Sequence, residues 1–165
     1  MPYSYYTNLP AKDKKIYQAS DQISTINLRN STKLIPYVKA INIALSSEKK
    51  TAVQQTSQQL VTKITQQLNI SPAKIKVLAT RPYNNYGELH GLYEPTSRRQ
   101  KYAEISVWMH TAKRKQVVAF KTYMRTMLHE LCHHFDYELY QLDDSFHTKG
   151  FFKRESSLYR QLILP

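Results

Sequence analysis

Residues 115–139 read KQVVAFKTYMRTMLHELCHHFDYEL and carry the strongest helical pattern in the chain. Apolar side chains recur every three or four residues, which is the spacing of one face of an α-helix. The apolar positions are Val117, Phe120, Met124, Met127, Leu128, Leu131 and Phe135. We therefore expect one long helix that ends near Leu139 and buries this face in the protein core.

The last third of this predicted helix contains His129, Glu130 and His133 in the order His-Glu-X-X-His. Residues four apart lie one turn above each other on a helix, so both imidazoles can reach the same metal ion. A catalytic Zn²⁺ uses three protein ligands and lowers the pKa of a water at its open position to about 7. Glu130 lies beside that ion, where it can take the proton of the water as the water attacks a carbonyl.

The third ligand has two candidates farther along the chain. His147 lies 14 residues beyond His133 and needs only a short turn to return to the metal. We place it at the start of the next helix, where the helix dipole disfavours a charged imidazole and favours the metal-binding form. Glu155 lies 22 residues beyond His133 and would require the second helix to cross the first about two turns later.

The neighbours of the motif are assigned from their helical positions. Asp136 follows His133 by three residues on nearly the same face, so we expect it to orient a ligand imidazole. His134 points about 100° away from His133 and is predicted to be structural or to contact the substrate. Cys132 has apolar helical neighbours and is predicted to be a core residue. The unranked candidates for stabilising a transition state are Tyr137, Arg154 and Tyr159.

The first 70 residues are predicted to be helical, with a role that the sequence leaves open. Residues 10–28 and 33–45 each fit a helix. Residues 46–69 fit a third, with Ser47 as its N-cap and with one apolar side. The apolar side consists of Val53, Leu60, Ile64 and Leu68.

The remaining segments predict a small sheet and a last helix. Residues 74–80 alternate as in a β-strand, and the segments GELHGLYEP and YAEISVWMH predict an antiparallel hairpin. N-caps for the last helix are offered by Asp143, Asp144 and Ser145. We therefore expect a single α+β domain of residues 1–165. Its core, residues 74–165, is expected to place an edge strand before the long helix and the third metal ligand on the last helix.

The chain carries 24 Lys and Arg against 12 Asp and Glu, a formal net charge of +12. Such an excess favours anionic partners, including nucleic acid, acidic protein segments and phospholipid surfaces. Most of it lies in the first 80 residues, but two basic clusters lie beyond them. These clusters are Arg98, Arg99 and Lys101, and Lys113, Arg114 and Lys115. Nucleic-acid binding is therefore the alternative function, although an ordinary solvated surface would also explain these charges.

Other features of the sequence bear on location and on the role of a metal. No apolar run approaches the roughly 18 residues that a membrane helix needs, so we expect no membrane span. We find no signal peptide and only one cysteine, which favours a cytoplasmic protein and leaves export without a signal open. A chain of 165 residues can bury a core without a structural metal, so a bound metal is expected to be functional.

The order of elements and motifs resembles the SprT-like zinc metallopeptidases and related minimal zincins. The resemblance covers residues 74–157 and is most specific in HELCH, residues 129–133, followed by HTKGF, residues 147–151. In this family a histidine on the next helix completes the metal site, commonly with an aromatic residue four positions later. Phe151 occupies that position here, which favours His147 as the third ligand and leaves Glu155 to contact a ligand or form an ion pair.

The resemblance implies zinc-dependent hydrolysis of peptide bonds with Glu130 as general base. It also implies a protein or peptide substrate that is aligned by the strand before the long helix. Some SprT-like enzymes act on proteins attached to DNA, which would agree with the basic clusters. The chain departs from the family in having Thr148 where a glycine often follows the third histidine, with the glycine at Gly150, and in having no cysteine-rich zinc ribbon.

Overall fold

The computed structural model describes residues 1–164, which form five α-helices and five β-strands. In chain order these are α1 (Ala11–Asp21), α2 (Ile35–Ser46), α3 (Lys50–Leu68), β1 (Ala73–Thr80), β2 (Tyr83–Asn84), β3 (Gly87–Glu88), β4 (Gly91–Glu94), β5 (Ala103–His110), α4 (Phe120–Glu138) and α5 (Lys149–Ile163). Two 3-10 helical turns, Ser4–Asn8 and Ser31–Leu34, precede α1 and α2. The predicted α+β class is confirmed.

The main sheet has three strands in the order β1-β5-β4. The predicted hairpin is confirmed, because β4 runs antiparallel to β5, while β1 pairs with β5 in parallel. The strand directly before α4 is β5, and it lies in the centre of the sheet. The sequence predicted an edge strand at this position, and for β5 that prediction is wrong. Five consecutive β5 residues, 105–109, are buried, as expected for a strand covered on both faces. The free edge next to α4 belongs to β4.

The N-terminal helices begin and end at other residues than the sequence predicts. Ser47 is the C-cap of α2, where its hydroxyl donates to the carbonyl of Ala44 at 2.6 Å, and α3 begins only after Lys49. Helix α1 ends at Asp21, seven residues before the predicted end. The following residues, 23–28, have no regular secondary structure and bury Ile26 and Leu28 in the core.

The two helices around the predicted site also start later than expected. Helix α4 begins at Phe120, because the preceding chain pairs with the sheet: Val117 bridges to His110, and the amide of Val118 donates to the carbonyl of Met109. The N-cap of α5 is Thr148, whose hydroxyl accepts from the amide of Phe151 at 2.9 Å. Residues 143–145, which the sequence offers as N-caps, lie in the loop before that helix.

One hydrophobic core joins the N-terminal helices to the sheet and to α4 and α5. It contains fully buried residues from each part, including Ile41, Leu60, Ile105, Leu128 and Leu158. The N-terminal helices therefore pack on the same core as the elements that carry the predicted site. Within residues 1–164, no helix has both the length and the apolar character needed to cross a membrane.

Candidate metal centre

Three histidine side chains converge where α4 faces the loop before α5. His129 and His133 lie one turn apart on α4, and His147 immediately precedes the N-cap of α5. The Nε2 atom of His147 lies 3.1 Å from that of His129 and 3.0 Å from that of His133. Nitrogens bound to zinc at about 2.0–2.1 Å in a tetrahedron are about 3.3 Å apart. These two separations are close to that value, and the ligand atoms of all three histidines lie within 4.8 Å of one another, so the three can reach one metal ion.

The other ring nitrogens of the two α4 histidines have hydrogen-bond partners. Nδ1 of His133 lies 2.7 Å from the hydroxyl of Ser145, which in turn donates to Asp136 at 2.7 Å. Because that hydroxyl donates to the carboxylate, Nδ1 of His133 must be the donor to Ser145. Nδ1 of His129 faces a carboxylate oxygen of Glu155 at 3.4 Å. Protons held on Nδ1 leave the Nε2 lone pairs free to bind a metal.

Asp136 and Glu155, which the sequence predicts to support the ligands, thus lie on the Nδ1 side of the imidazoles. Asp136 reaches His133 through the hydroxyl of Ser145 and has no direct hydrogen bond to an imidazole. Glu155 is on the Nδ1 side of His129, away from the three Nε2 atoms, and is not in the ligand cluster. The hydroxyl of Ser145 connects His133 to Asp136. This role was not predicted, because the sequence pattern indicated Ser145 as a helix N-cap.

Asp136 is anchored by a fully buried ion pair. A guanidinium nitrogen of Arg154 lies 2.8 Å from the carboxylate of Asp136, and both side chains are 0% exposed. Arg154 also donates to the carbonyls of Ser20 and Ile23, each at 2.6 Å. A buried ion pair is stable only when its remaining hydrogen-bonding groups are also satisfied, and these contacts do so for most of them. Arg154 is therefore committed to this network and cannot reach a substrate.

Burial favours the neutral form of two of the ligand imidazoles, those of His133 and His147. It lowers the pKa of His133 to about 3, and the neighbouring His129 and His147 add to this shift. Burial, followed by His129, also lowers the pKa of His147. A histidine with a lowered pKa is deprotonated at neutral pH, and only the deprotonated ring can bind a metal.

Glu130 lies beside the cluster with its carboxyl group largely buried. Burial raises the pKa of this group to about 7, with His129 opposing the shift and Glu155 adding to it. The first residue of β4, Gly91, packs directly against it: a Cβ atom at this position would lie 2.7 Å from Oε1 of Glu130. A carboxyl group with this pKa can both accept and return a proton near neutral pH.

A cavity of about 640 Å³ adjoins the histidines and Glu130. This volume lies within the range of small-ligand pockets, about 300–1,000 Å³. The β3–β4 segment forms one wall and α4 the other, and Arg125, Tyr137 and Glu155 contribute side chains. Arg125 was missed from the sequence although it precedes His129 by four residues, a spacing that predicts the same helical face.

The aromatic residues around the centre have distinct roles. The ring of Phe151 lies 4.7–5.2 Å from all three imidazole rings and packs against the ligand cluster. His134 is fully buried, where its Nδ1 contacts the hydroxyl of Tyr93 at 3.0 Å and its Nε2 contacts the carbonyl of Ser71 at 2.7 Å. His134 therefore has the structural role that the sequence offered as one of two, and Tyr93 is a further residue that the sequence missed.

Of the three candidates for stabilising a transition state, only Tyr137 lines the cavity. Its hydroxyl donates to Asp144 at 3.2 Å, and burial raises its pKa to about 12, with Asp144 adding to the shift. Tyr137 therefore keeps its proton at neutral pH and stays a hydrogen-bond donor. Tyr159 is 7% exposed and lies under the guanidinium of Arg125, 4.2 Å from its carbon.

The two basic clusters lie beside this cavity and not in it. Gln100, next to Arg99, donates to the carbonyl of the lining residue Pro95. Lys113 and Arg114 line a second pocket together with Glu88. Residues 98–101 precede β5 and residues 113–115 follow it, so the two clusters lie toward opposite ends of the strand. At about 3.3 Å per residue, the eight residues of β5 span roughly 23 Å. No residue of either cluster lines the cavity. Nucleic-acid binding by the clusters stays a prediction.

No protein-family model, curated protein or solved structure matches this chain. The SprT-like resemblance therefore remains one of short motifs and of the order of elements. A function has to be inferred from the geometry of the centre itself.

Proposed function

We propose that the protein is a zinc-dependent metallopeptidase in which His129, His133 and His147 bind the metal and Glu130 is the general base. The observation that carries this proposal is the convergence of three imidazole Nε2 atoms beside a buried carboxyl group, at a cavity bordered by a free strand edge. Three protein ligands with an open side are typical of catalytic zinc, whereas structural zinc has four.

The sequence motif, together with the donor set, supports zinc as the metal. Neutral imidazoles bind zinc and also copper, iron and nickel, so the choice among these metals rests on the His-Glu-X-X-His arrangement. A zinc ion, when bound, supplies a Lewis acid that polarises a carbonyl and makes water more acidic. Ser145 and Glu155 hold the Nδ1 protons of His133 and His129, which keeps both rings oriented for this ligation.

Glu130 performs the proton transfers in the proposed reaction. Its carboxylate accepts a proton from the attacking water and then donates that proton to the nitrogen of the departing amine. Both transfers are feasible near neutral pH because burial raises the pKa of Glu130 to about 7. Gly91 contributes by allowing the backbone of β4 to approach the carboxylate closely.

The free edge of β4 is the proposed substrate-binding edge. Among the described residues, Gly91–Glu94 pairs only with β5, and of its backbone groups only the Glu94 carbonyl accepts from a side chain, that of Gln100. The other edge of the strand can therefore pair with an extended peptide. This strand takes the role that the sequence assigned to the strand directly before the helix. Tyr137 lies in the same cavity and is the proposed donor to the oxyanion that develops at the cleaved carbonyl, a role for which its single hydroxyl proton must turn from Asp144 to the substrate.

The test is the cleavage of reduced casein by protein loaded with one zinc ion per chain. We expect cleavage to stop when the zinc is chelated and to return when zinc is added. We expect Glu130→Gln to keep its zinc and lose about 10²- to 10⁴-fold in turnover, the usual contribution of a general base. Glu48→Gln, at an exposed glutamate away from the cavity, is the control. Equal turnover by Glu130→Gln and wild type would overturn the proposal.

A further inference from the structure

Arg125 places a positive charge in the cavity close to the proposed metal ligands. It lies on α4 one turn before His129 and lines the cavity together with Thr126 and Glu130. Four residues of helix correspond to about 6 Å along the axis. The side chain is exposed and is not part of the hydrogen-bond network behind the histidines. A substrate in the cavity can therefore reach it.

The acidic groups of the cavity are already engaged, whereas Arg125 lacks an acidic partner. Glu88 accepts from the backbone amide of Ala112 and from Arg81, and Glu155 faces His129. Glu130 is the proposed general base. Within residues 1–164, no carboxylate lies within 4.0 Å of the Arg125 guanidinium. Arg125 is thus a cation that faces the substrate space without an anion.

The guanidinium of Arg125 is held in place by an aromatic ring. Its central carbon lies 4.2 Å from the centre of the Tyr159 ring, which is buried and belongs to the core. Stacking on a ring uses one face of the guanidinium plane and leaves its N–H edge free. That edge is the geometry that binds a carboxylate through two parallel hydrogen bonds.

We infer that Arg125 binds a carboxylate of the substrate, so that the enzyme prefers Asp or Glu within two residues of the cleaved bond. This inference rests on the proposed peptidase function. An extended peptide advances about 3.3 Å per residue, so the 6 Å between Arg125 and His129 along the helix corresponds to about two residues. The net charge of +12 favours the same substrates, because it attracts acidic segments from solution.

The experiment uses capped six-residue alanine peptides in which one Glu, Gln or Lys is moved through every position. Cleavage sites are read by mass spectrometry, and kcat/KM is compared for each Glu and Gln pair. We expect the zinc-loaded wild type to prefer Glu over Gln by at least about tenfold at one position, since carboxylate–guanidinium pairs are strong and bidentate. Arg125→Glu should reverse this preference toward Lys. Lys39→Glu, an exposed charge change on α2 that does not line the cavity, should keep it.

A second measurement separates this inference from the proposed function. The same peptides are titrated into zinc-loaded Glu130→Gln, which reports binding without turnover. If wild type cleaves the peptides without a preference for Glu, the inference is overturned and the peptidase stands. If wild type cleaves none of them but Glu peptides bind more tightly through Arg125, the peptidase is overturned and the carboxylate site stands. Neither cleavage nor a preference in binding would overturn both.

Discussion

Ser145→Ala tests how the metal ligands are held. The Ser145 hydroxyl accepts from Nδ1 of His133 and donates to Asp136, at 2.7 Å in both cases. The substitution removes both hydrogen bonds and leaves all three candidate ligands in the chain. The change therefore acts on the orientation of His133 and not on the number of ligands.

Two effects of different size follow from the geometry. Removing the partner of a ligand imidazole typically costs 10- to 100-fold in metal affinity, which is about 1.4–2.8 kcal/mol. The substitution also removes the hydrogen bond that Ser145 donates to the fully buried Asp136. An unsatisfied buried acceptor costs about 1–3 kcal/mol, so the free energy of unfolding of the metal-free protein should fall by this amount.

Zinc affinity is measured by competition with a chromophoric chelator at fixed pH, and stability by urea unfolding of the metal-free protein. Ser145→Thr keeps a hydroxyl and should recover most of both losses. Ser156→Ala, on α5 and outside this network, is the control. If the zinc affinity of Ser145→Ala lies within about twofold of the wild-type value, the orientation of His133 does not depend on this hydrogen bond. That result would refute the proposed role of Ser145 in supporting the metal ligand.

Two further substitutions act on single contacts of the centre. Gly91→Ala would put a Cβ atom 2.7 Å from Oε1 of Glu130 and displace the carboxylate. We therefore expect kcat to fall at least about tenfold while zinc affinity stays near that of wild type. An unchanged kcat would show that the carboxylate moves without loss of function. Tyr5→Phe removes the hydroxyl that donates to the His147 carbonyl at 2.6 Å. We expect zinc to dissociate about two- to tenfold faster in a stopped-flow chelation assay. An unchanged dissociation rate would show that this contact does not support His147.

The features that the sequence predicts correctly are those set by short spacings. The i, i+4 pair His129 and His133 is a consequence of helical periodicity, which the apolar stripe of α4 makes clear. The β4–β5 hairpin follows from two neighbouring alternating segments. The proximity of His147 was predicted from chain separation and from the family resemblance, and the structure brings its Nε2 within 3.1 Å of both other nitrogens.

The features that the sequence misses depend on contacts between distant segments. The central place of β5 follows from its parallel pairing with β1, for which hydrophobic alternation carries no signal. Arg154 contacts Asp136 and also two backbone carbonyls, that of Ser20 near the end of α1 and that of Ile23 just after it. Every residue has a backbone carbonyl, so the sequence carries no sign of these contacts. The contact of Gly91 with Glu130 depends on how closely β4 passes α4, although a glycine at the start of a strand is a known sign of close approach.

The zinc content of ligand variants tests most directly the three-histidine centre on which the proposed reaction depends. The measurement is elemental analysis of wild type, His147→Ala and Glu155→Ala after equilibration at one buffered free zinc concentration well above the wild-type dissociation constant. We expect one zinc per chain in wild type and in Glu155→Ala, the latter with weaker affinity, and loss of stoichiometric zinc in His147→Ala. Stoichiometric zinc in His147→Ala together with its loss in Glu155→Ala would contradict the three-histidine centre and make Glu155 the third ligand.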